Sequence, residues 1–147
     1  MTDRTTPAAA EVVAGCIATR LRLAARAITK LYDDAFRPFG LTVAQMSLLA
    51  VAAHRGVLRQ AEASAQLRMD NSTLSRNLEL MRENGWLEMV TETDARVHSH
   101  QLTEAGMALF ERAVPGWSIA QRRAGELLGE AGVGALHRFA RSSEFEG

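Results

Sequence analysis

Three residues that can cap the start of a helix divide the middle of this chain into short helices followed by a hairpin. Thr42, Asp70 and Thr103 each stand directly before a segment in which apolar residues recur at helical spacing. Short polar side chains at such positions accept hydrogen bonds from the free N–H groups of the first helical turn. Gly85 ends the second capped helix, and two strand-like segments joined by a charged loop at residues 92–96 follow it. The pattern predicts short helices, then a hairpin, then a further helix.

Longer helical segments flank this central region on both sides. Residues 9–36 and 103–128 carry apolar residues at steps of three and four, with a kink expected at Pro115. A short last helix is expected around residues 133–140. The apolar faces of these segments find no obvious partner within so small a domain, so we expect two copies of the chain to pack them together.

The predicted fold class is mainly α (α+β), a winged helix-turn-helix with long N- and C-terminal dimerisation helices. Residues 1–37 form the N-terminal dimerisation helix, residues 38–102 the winged helix-turn-helix domain and residues 103–147 the C-terminal dimerisation helices. Such a domain presents one helix and one charged loop on the same side. That arrangement suits contact with two adjacent grooves of DNA.

The charge balance restricts how such a chain would bind DNA. Lys and Arg together number 17, as do Asp and Glu, so the formal net charge is zero. Affinity for the DNA backbone comes from cations that displace counterions from phosphate. The cations would therefore have to cluster on one face and be doubled by a dimer. All of them except Lys30 are arginines, which suit bidentate contacts to phosphate and base edges.

Other features of the sequence exclude several classes of protein. No apolar run is long enough to span a membrane, and the N-terminus lacks the basic and apolar segments of a secretion signal. Cys16, the one cysteine, cannot form an internal disulfide, which fits a cytoplasmic protein. As a catalytic nucleophile, Cys16 would need a base, and no His lies nearby in sequence, so we expect no enzyme and no cofactor. His98 and His100 lack a third metal ligand, so we predict a polar strand surface there.

Five motifs occur in the order and spacing of one known family. They are Gly40-Leu41-Thr42 with Gln45, Asn71-Ser72-Thr73-Leu74-Ser75-Arg76, Asn84-Gly85-Trp86-Leu87, Asp94-Ala95-Arg96 and Leu102-Thr103-Glu104-Ala105-Gly106. Over residues 18–128 the chain resembles the MarR family of bacterial transcription regulators. The resemblance implies a homodimeric repressor, less often an activator, that binds a palindromic operator in double-stranded DNA. It also implies release by a small-molecule effector, often phenolic or anionic.

The predicted DNA contacts lie at the start of one helix and at the hairpin tip. They are Asn71, Ser72, Thr73, Ser75, Arg76, Asp94 and Arg96. Hydroxyls at a helix N-terminus can reach phosphate, and Arg76 can pair with guanine. Arg96 can enter the minor groove with Asp94 orienting it, since the resemblance makes Asp-x-Arg the wing signature. The alternative is that the hydroxyls only cap the helix and the ion pair only tightens a solvated turn.

The resemblance also suggests a redox site, because one branch of the family senses organic hydroperoxides. Those proteins carry a reactive cysteine near the start of the first long helix, one tyrosine a turn beyond it and another near the helix end. Tyr32 can serve as the later tyrosine, whereas the nearer tyrosine is absent, and Cys16 falls about two residues early when the chain is aligned on Thr29 and Tyr32. The alternatives are therefore a thiol-based peroxide-sensing repressor or a small apolar residue on a dimerisation helix.

The effector site implied by the resemblance lies between the dimerisation helices and the winged domain. Arg20, Arg22 and Arg26 on the first long helix are candidates to receive an anionic effector. Alternatively, they are solvated or pair with Glu111 and Glu126. The even charge balance also leaves open a winged-helix module that no longer binds DNA.

Overall fold

The computed structural model describes residues 6–142, so the outermost ends of both predicted dimerisation segments lie outside the described residues. Its elements are α1 (Pro7–Gly15), α2 (Ile17–Phe36), a 3-10 turn (Arg37–Phe39), α3 (Val43–Arg55), β1 (Leu58–Arg59), α4 (Gln60–Leu67), α5 (Asn71–Glu83), β2 (Leu87–Val90), β3 (Ser99–Leu102) and α6 (Glu104–Ala140). The predicted fold class, a mainly α winged helix-turn-helix with long terminal helices, is confirmed.

The three predicted helix caps form as the sequence indicates. Thr42 Oγ1 accepts from the Gln45 amide at 3.2 Å, and Gln45 Oε1 accepts from the Thr42 amide at 3.1 Å, which completes a capping box. The side chains of Asp70 and Thr103 accept from backbone amides three residues ahead, at 2.9 and 3.0 Å. These caps satisfy N–H groups that have no partner within the helix, and so they locate the helix starts.

The core sits between α3, α5 and the sheet, and it determines which face of α5 is exposed. Leu74, Leu78 and Met81 of α5 are buried at spacings of four and three. Ser75 and Arg76 consequently point away from the core and are exposed. The predicted polar face of α5 is therefore confirmed.

The sheet contains a strand that the sequence analysis missed. β1 pairs antiparallel with β3, which also pairs antiparallel with β2, so β3 is the central strand. His100 of β3 lies opposite both Leu58 and Met89 and is only 3% exposed. The prediction of a polar strand surface is therefore wrong for His100, because the unforeseen strand and α5 cover it, whereas His98 is exposed.

The first long helix is divided, contrary to prediction. Cys16 has an extended backbone (φ −65°, ψ 109°), and this residue separates α1 from α2. The preceding Gly15 has poor helix propensity. The Arg20 guanidinium donates to the Ala14 carbonyl through Nε at 3.1 Å, which satisfies an acceptor freed by the break.

The kink predicted at Pro115 is wrong, whereas the break predicted between residue 128 and the last helix is confirmed. The backbone stays helical through Pro115, and the non-helical residue is Gly129 (φ 70°, ψ 167°). In this region α6 stays helical and packs closely on α2. A Cβ on Gly116 would lie 3.1 Å from the Phe39 ring and 3.2 Å from the Ala35 carbonyl oxygen.

The outer parts of the terminal helices leave apolar side chains uncovered. No residue of α1 is buried, and Phe36 is the one buried residue of α2. Eight large apolar side chains here are 48–81% exposed: Val12, Val13, Ile17, Leu21, Leu23, Leu127, Leu136 and Phe139.

Within residues 6–142 no single helix is long and apolar enough to cross a membrane. The bent pair Pro7–Phe39 and Val43–Arg55 passes that test jointly, by length and composition alone.

Candidate nucleic-acid interface

The start of α5 is organised around the carboxylate of Asp70. This carboxylate accepts from the Thr73 amide at 2.9 Å and from the hydroxyls of Ser72 and Thr73, each at 2.6 Å. The hydrogen bond from Ser72, followed by those from Thr73, holds the pKa of Asp70 far below its usual range. Two of the predicted DNA-contacting hydroxyls are thus hydrogen-bonded within the chain.

Ser75, one turn further along α5, has a different partner. Gln60 at the start of α4 donates from Nε2 to Ser75 Oγ at 2.8 Å, which ties the two helices of the helix-turn-helix together. The neighbouring Arg76 is exposed, and within residues 6–142 it forms no ion pair closer than 4 Å. Sequence reasoning missed Gln60, because nothing local to it signals a contact with a residue fifteen positions away.

Arg96 at the tip of the wing is oriented by Asp94, as the sequence suggested. Its Nε lies 3.1 Å from Asp94 Oδ1, its Nη2 lies 3.0 Å from Oδ2, and its backbone amide also donates to Oδ1. These hydrogen bonds lower the pKa of Asp94 and raise that of Arg96. The Arg96 side chain is 90% exposed, and three of its five N–H groups remain for other acceptors.

A chain of ion pairs fixes the base of the wing to α4. Glu92 accepts from the buried Ser99 hydroxyl at 2.5 Å and pairs with Arg59 Nε at 3.5 Å. Glu62 of α4 pairs with Arg59 at 3.5 Å and with Arg55 at 2.9 Å. Sequence reasoning missed this network, because it depends on the position of the two-residue strand β1. The network neutralises two arginines that would otherwise face the solvent.

One groove joins the wing to the start of α5. Arg96 and Arg59 on one side and Asn71 on the other line this groove of about 540 Å³. Of the predicted DNA contacts, the structure therefore brings Arg96 and Asn71 to one groove, whereas Ser75 lines the separate cavity beside His100. A groove shared by the wing and the start of α5 is the arrangement that contact with adjacent DNA grooves requires.

An apolar cavity lies where the resemblance places an effector site. It measures about 390 Å³, between the end of α2, α3 and α6, and its lining is Phe36, Val43, Met46, Ser47, Ala50, Phe110, Val114 and Trp117. Ser47 supplies the one hydroxyl of this lining, and it already donates to the Val43 carbonyl at 2.9 Å. The cavity is thus suited to an apolar or aromatic guest.

The arginines predicted to bind an effector do not line that cavity. Arg22 and Arg26 lie one turn apart in a separate open groove along α2, together with Lys30 and Asp33. Arg20 instead donates to the Ala14 carbonyl. The three side chains do not converge on one site within this chain, and their role stays a prediction.

Cys16 and Tyr32 are far apart within one chain. The sixteen positions between them along α2 correspond to about 24 Å of helix. Hydrogen bonds from the Thr19 side chain and then its backbone lower the pKa of the half-buried Cys16 thiol, whereas the Tyr32 hydroxyl donates to Gln121 of α6. The lowered pKa of the Cys16 thiol favours the hypothesis of a thiol sensor. Tyr32 of the same chain, however, lies too far along α2 to contact this thiol.

His100 faces a second cavity, between α5 and the wing. Nδ1 of His100 has no hydrogen-bond partner within residues 6–142, and the cavity of about 400 Å³ is also lined by Glu79, Arg82 and His98. Burial, then the charges of Arg82 and His98, lower the pKa of His100.

Across the described residues, no group of three or more His, Cys, Asp or Glu side chains is arranged to hold a metal ion.

We expect this histidine to make the free energy of unfolding depend on pH. Below about pH 6.5 the unfolded chain takes up a proton at His100 that the folded chain resists, so stability falls as the pH drops through that value. One such site contributes at most about 1.4 kcal/mol per pH unit. Urea denaturation between pH 7.5 and 5.5 measures this slope. His100→Leu should flatten it and His137→Leu should not, and equal slopes in both variants would contradict the assignment.

Comparison with known proteins identifies similar regulators. No family model matches the chain. The chain is 32% identical to the HTH-type transcriptional regulator PecS of Dickeya dadantii (strain 3937) over 91 residues, which are 59% of this chain and 55% of PecS. It therefore spans little more than half the length of that relative.

Solved structures resemble the chain over most of its length. The transcriptional regulator MosR of M. tuberculosis, in complex with DNA, is 33% identical, with a TM-score of 0.71 over 86% of this chain and 99% of that one. A mutant MarR from E. coli complexed with operator DNA has a TM-score of 0.77 over 88% and 94% of the two chains. At 19% identity, the likeness to MarR shows the fold alone.

Proposed function

The chain belongs to the MarR family of winged helix-turn-helix transcriptional regulators, and from this premise we propose that it is a homodimeric repressor of DNA transcription. It binds a palindromic operator and is released by a small-molecule effector. The observation that carries this proposal is the shared groove between Arg96 of the wing and Asn71 of α5. A domain built this way contacts the major groove with a helix and the minor groove with a loop.

The DNA-contacting surface comprises the first two turns of α5 and the tip of the wing. Arg76, which has no ion pair closer than 4 Å within the described residues, contacts a base edge in the major groove. Arg96 reaches phosphate or the minor groove, with Asp94 holding the guanidinium in an extended position. Asn71 lines the groove beside Arg96, and Ser72, Thr73 and Ser75 follow it along the first turns of α5. The complex of MosR with DNA supports a DNA-binding role for a chain that is 33% identical to it.

Two copies of the chain associate through the uncovered apolar faces of α1, α2 and the end of α6. An operator of two half-sites then meets two α5 helices about 34–36 Å apart, one turn of DNA. Pairing doubles the number of arginines presented to one duplex, which compensates for the zero net charge of the chain.

The test of this function is binding of the purified protein to a duplex spanning the region upstream of its own gene. We expect a sequence-dependent shift that weakens steeply as salt rises from 50 to 200 mM, because phosphate contacts release counterions. Footprinting should show two protected half-sites about 10 base pairs apart. A protein that dimerises but shows no such binding would instead be a winged-helix module that does not bind DNA.

The effector binds in the apolar cavity and is a neutral aromatic molecule rather than an anion. The lining lacks a cation, and its one hydroxyl is already hydrogen-bonded to the backbone. Burying a carboxylate without a partner is costly, whereas a phenol ring is favoured by apolar walls. The cavity lies between α2 and α6 on one side and α3 on the other, so a guest there changes how the winged domain sits on the terminal helices.

Filling this cavity should abolish the response to the effector while sparing DNA binding. Ala50→Phe places a ring in the space beside Trp117, and we expect the Kd for p-cresol to rise at least tenfold, with DNA affinity unchanged within twofold. Quenching of tryptophan fluorescence measures binding, because Trp117 lines the cavity. Ala25→Phe in the Arg22–Arg26 groove is the matched control. If Ala25→Phe alone weakened binding, or if salicylate bound more tightly than p-cresol, the site would be the arginine groove.

A further inference from the structure

We propose that Asp70 is a specificity-determining residue that withholds the hydroxyls of Ser72 and Thr73 from DNA and leaves hydroxyl donation to Ser75. This inference rests on the proposed function, since it assigns roles within the same DNA-contacting surface. The chemistry of the groups at the start of α5 determines which of them donates each hydrogen bond and which accepts it.

The two hydroxyls beside Asp70 have no proton left for DNA. An ionised carboxylate can only accept hydrogen bonds, so Ser72 Oγ and Thr73 Oγ1, each 2.6 Å from it, must both donate to Asp70. A hydroxyl carries a single proton, and what it then offers outward is lone pairs. Lone pairs repel phosphate oxygens and the acceptor atoms of guanine. They fit only the amino groups of adenine and cytosine.

Asp70 also occupies the anion-binding end of α5. Its carboxylate takes the Thr73 amide at 2.9 Å, one of the N–H groups that would otherwise attract a phosphate. The residue is exposed and ionised, and the Arg76 charge contributes to its lowered pKa. A negative charge therefore stands at the DNA-facing end of α5 and opposes the phosphate backbone.

The Ser75 hydroxyl, one turn further along α5, accepts a hydrogen bond within the chain instead of donating one. Its oxygen accepts from Gln60 Nε2 at 2.8 Å, so its own proton remains available to an acceptor on DNA. Gln60 thereby acts as a positioning residue, because it orients the one hydroxyl of the three that can donate. Base acceptors are consequently contacted by Ser75 and Arg76 and not by the hydroxyls of Ser72 and Thr73.

The experiment compares Asp70→Asn with wild type on duplexes selected from a random library by each protein. Asn caps a helix as well as Asp does, and Asp70→Ser serves as a second neutral cap, so the melting temperature should not change. In Asp70→Asn the amide oxygen still accepts from Ser72, whereas the NH2 group replaces the oxygen that accepts from Thr73, so the Thr73 hydroxyl proton is freed. Losing the charge and freeing this proton should tighten DNA binding about fivefold or more at 0.15 M salt. The selected sequences should also change at the base pairs under the first turn of α5.

A matched control and a double-mutant cycle separate this effect from a general loss of charge. Glu83→Gln removes the same charge at the other end of α5, about 20 Å away, and should change affinity less than twofold. Thr73→Val should cost more affinity in the Asp70→Asn background than in wild type, because its hydroxyl is free to donate to DNA only there.

Each outcome decides for or against the inference. Tighter binding with coupling between positions 70 and 73 supports it. Weaker binding by Asp70→Asn and Asp70→Ser, at unchanged melting temperature, would overturn it and make Asp70 itself a DNA contact. Additive effects without coupling would also overturn it. Wild type that selects no sequence from the library would overturn the proposed function, and this inference with it, before any variant is compared.

Discussion

Arg96→Ala will weaken operator binding about a hundredfold. Each half-site loses one arginine contact, and a contact of this kind contributes about 1–3 kcal/mol. Two half-sites at about 1.4 kcal/mol each give a factor of about 100. The variant also leaves the Asp94 carboxylate without its guanidinium partner, facing the DNA as an uncompensated charge. Titration of a labelled operator at fixed salt measures the loss.

The salt dependence distinguishes a DNA contact from a structural effect. Removing two phosphate-bound arginines should lower the slope of log K against log salt by about 1.8. Arg122→Ala is the matched control, because this arginine is exposed and lies on α6 about 27 Å from the start of that helix. Equal losses in both variants, or an unchanged salt slope in Arg96→Ala, would show that the wing tip does not touch DNA.

The sequence predicts the helices best where a single side chain determines their ends. Thr42, Asp70 and Thr103 each contact an amide only three residues ahead, so local sequence suffices to place those helix starts. The break at Cys16 and the path through Pro115 were predicted wrongly. Arg20, six residues beyond Ala14, donates a hydrogen bond to the carbonyl that the break at Cys16 frees. Near Pro115, α6 stays helical where it packs closely on α2.

The candidate site shows the same division between local and distant contacts. The Asp94–Arg96 pair spans two residues and was foreseen, and so was the exposed face of α5. Gln60, by contrast, contacts a residue on another helix and was missed. The sequence also could not tell which hydroxyls of α5 are free, because hydrogen-bond direction depends on where the Asp70 carboxylate lies. Side chains that act through a distant partner require the fold before their roles can be assigned.

The ion pairs around the wing do not improve the charge balance for DNA binding, because each of them takes up an arginine together with an acid. Glu62 and Glu92 are bound to Arg55 and Arg59 at the base of the wing, and Asp94 is bound to Arg96. These pairs stiffen the wing but leave few cations for phosphate. A single subunit would therefore bind weakly, and operator affinity depends on two subunits acting together.

Separating the subunits should consequently have the largest effect of all. Ile17 and Leu21 lie one turn apart on α2, are 74% and 48% exposed, and belong to the uncovered apolar face. Ile17→Asp combined with Leu21→Asp would bury four carboxylates in the dimer, which costs far more than the apolar contacts return. We expect the mass of one chain in solution and a loss of operator affinity of at least a hundredfold, because the second half-site no longer benefits from a high effective concentration.

The oligomeric state and the DNA affinity must change together for this explanation to hold. Met89→Asp introduces a charge at a side chain that is 52% exposed on β2, away from the terminal helices, and should leave the mass at two chains. The monomeric double variant should still bind a single half-site weakly, with the same base preference, because α5 and the wing remain folded. A monomeric wild type would contradict the dimer at the outset. A monomeric variant with full operator affinity would show that each α5 and wing bind DNA alone, and the uncovered face of α2 would then need another partner.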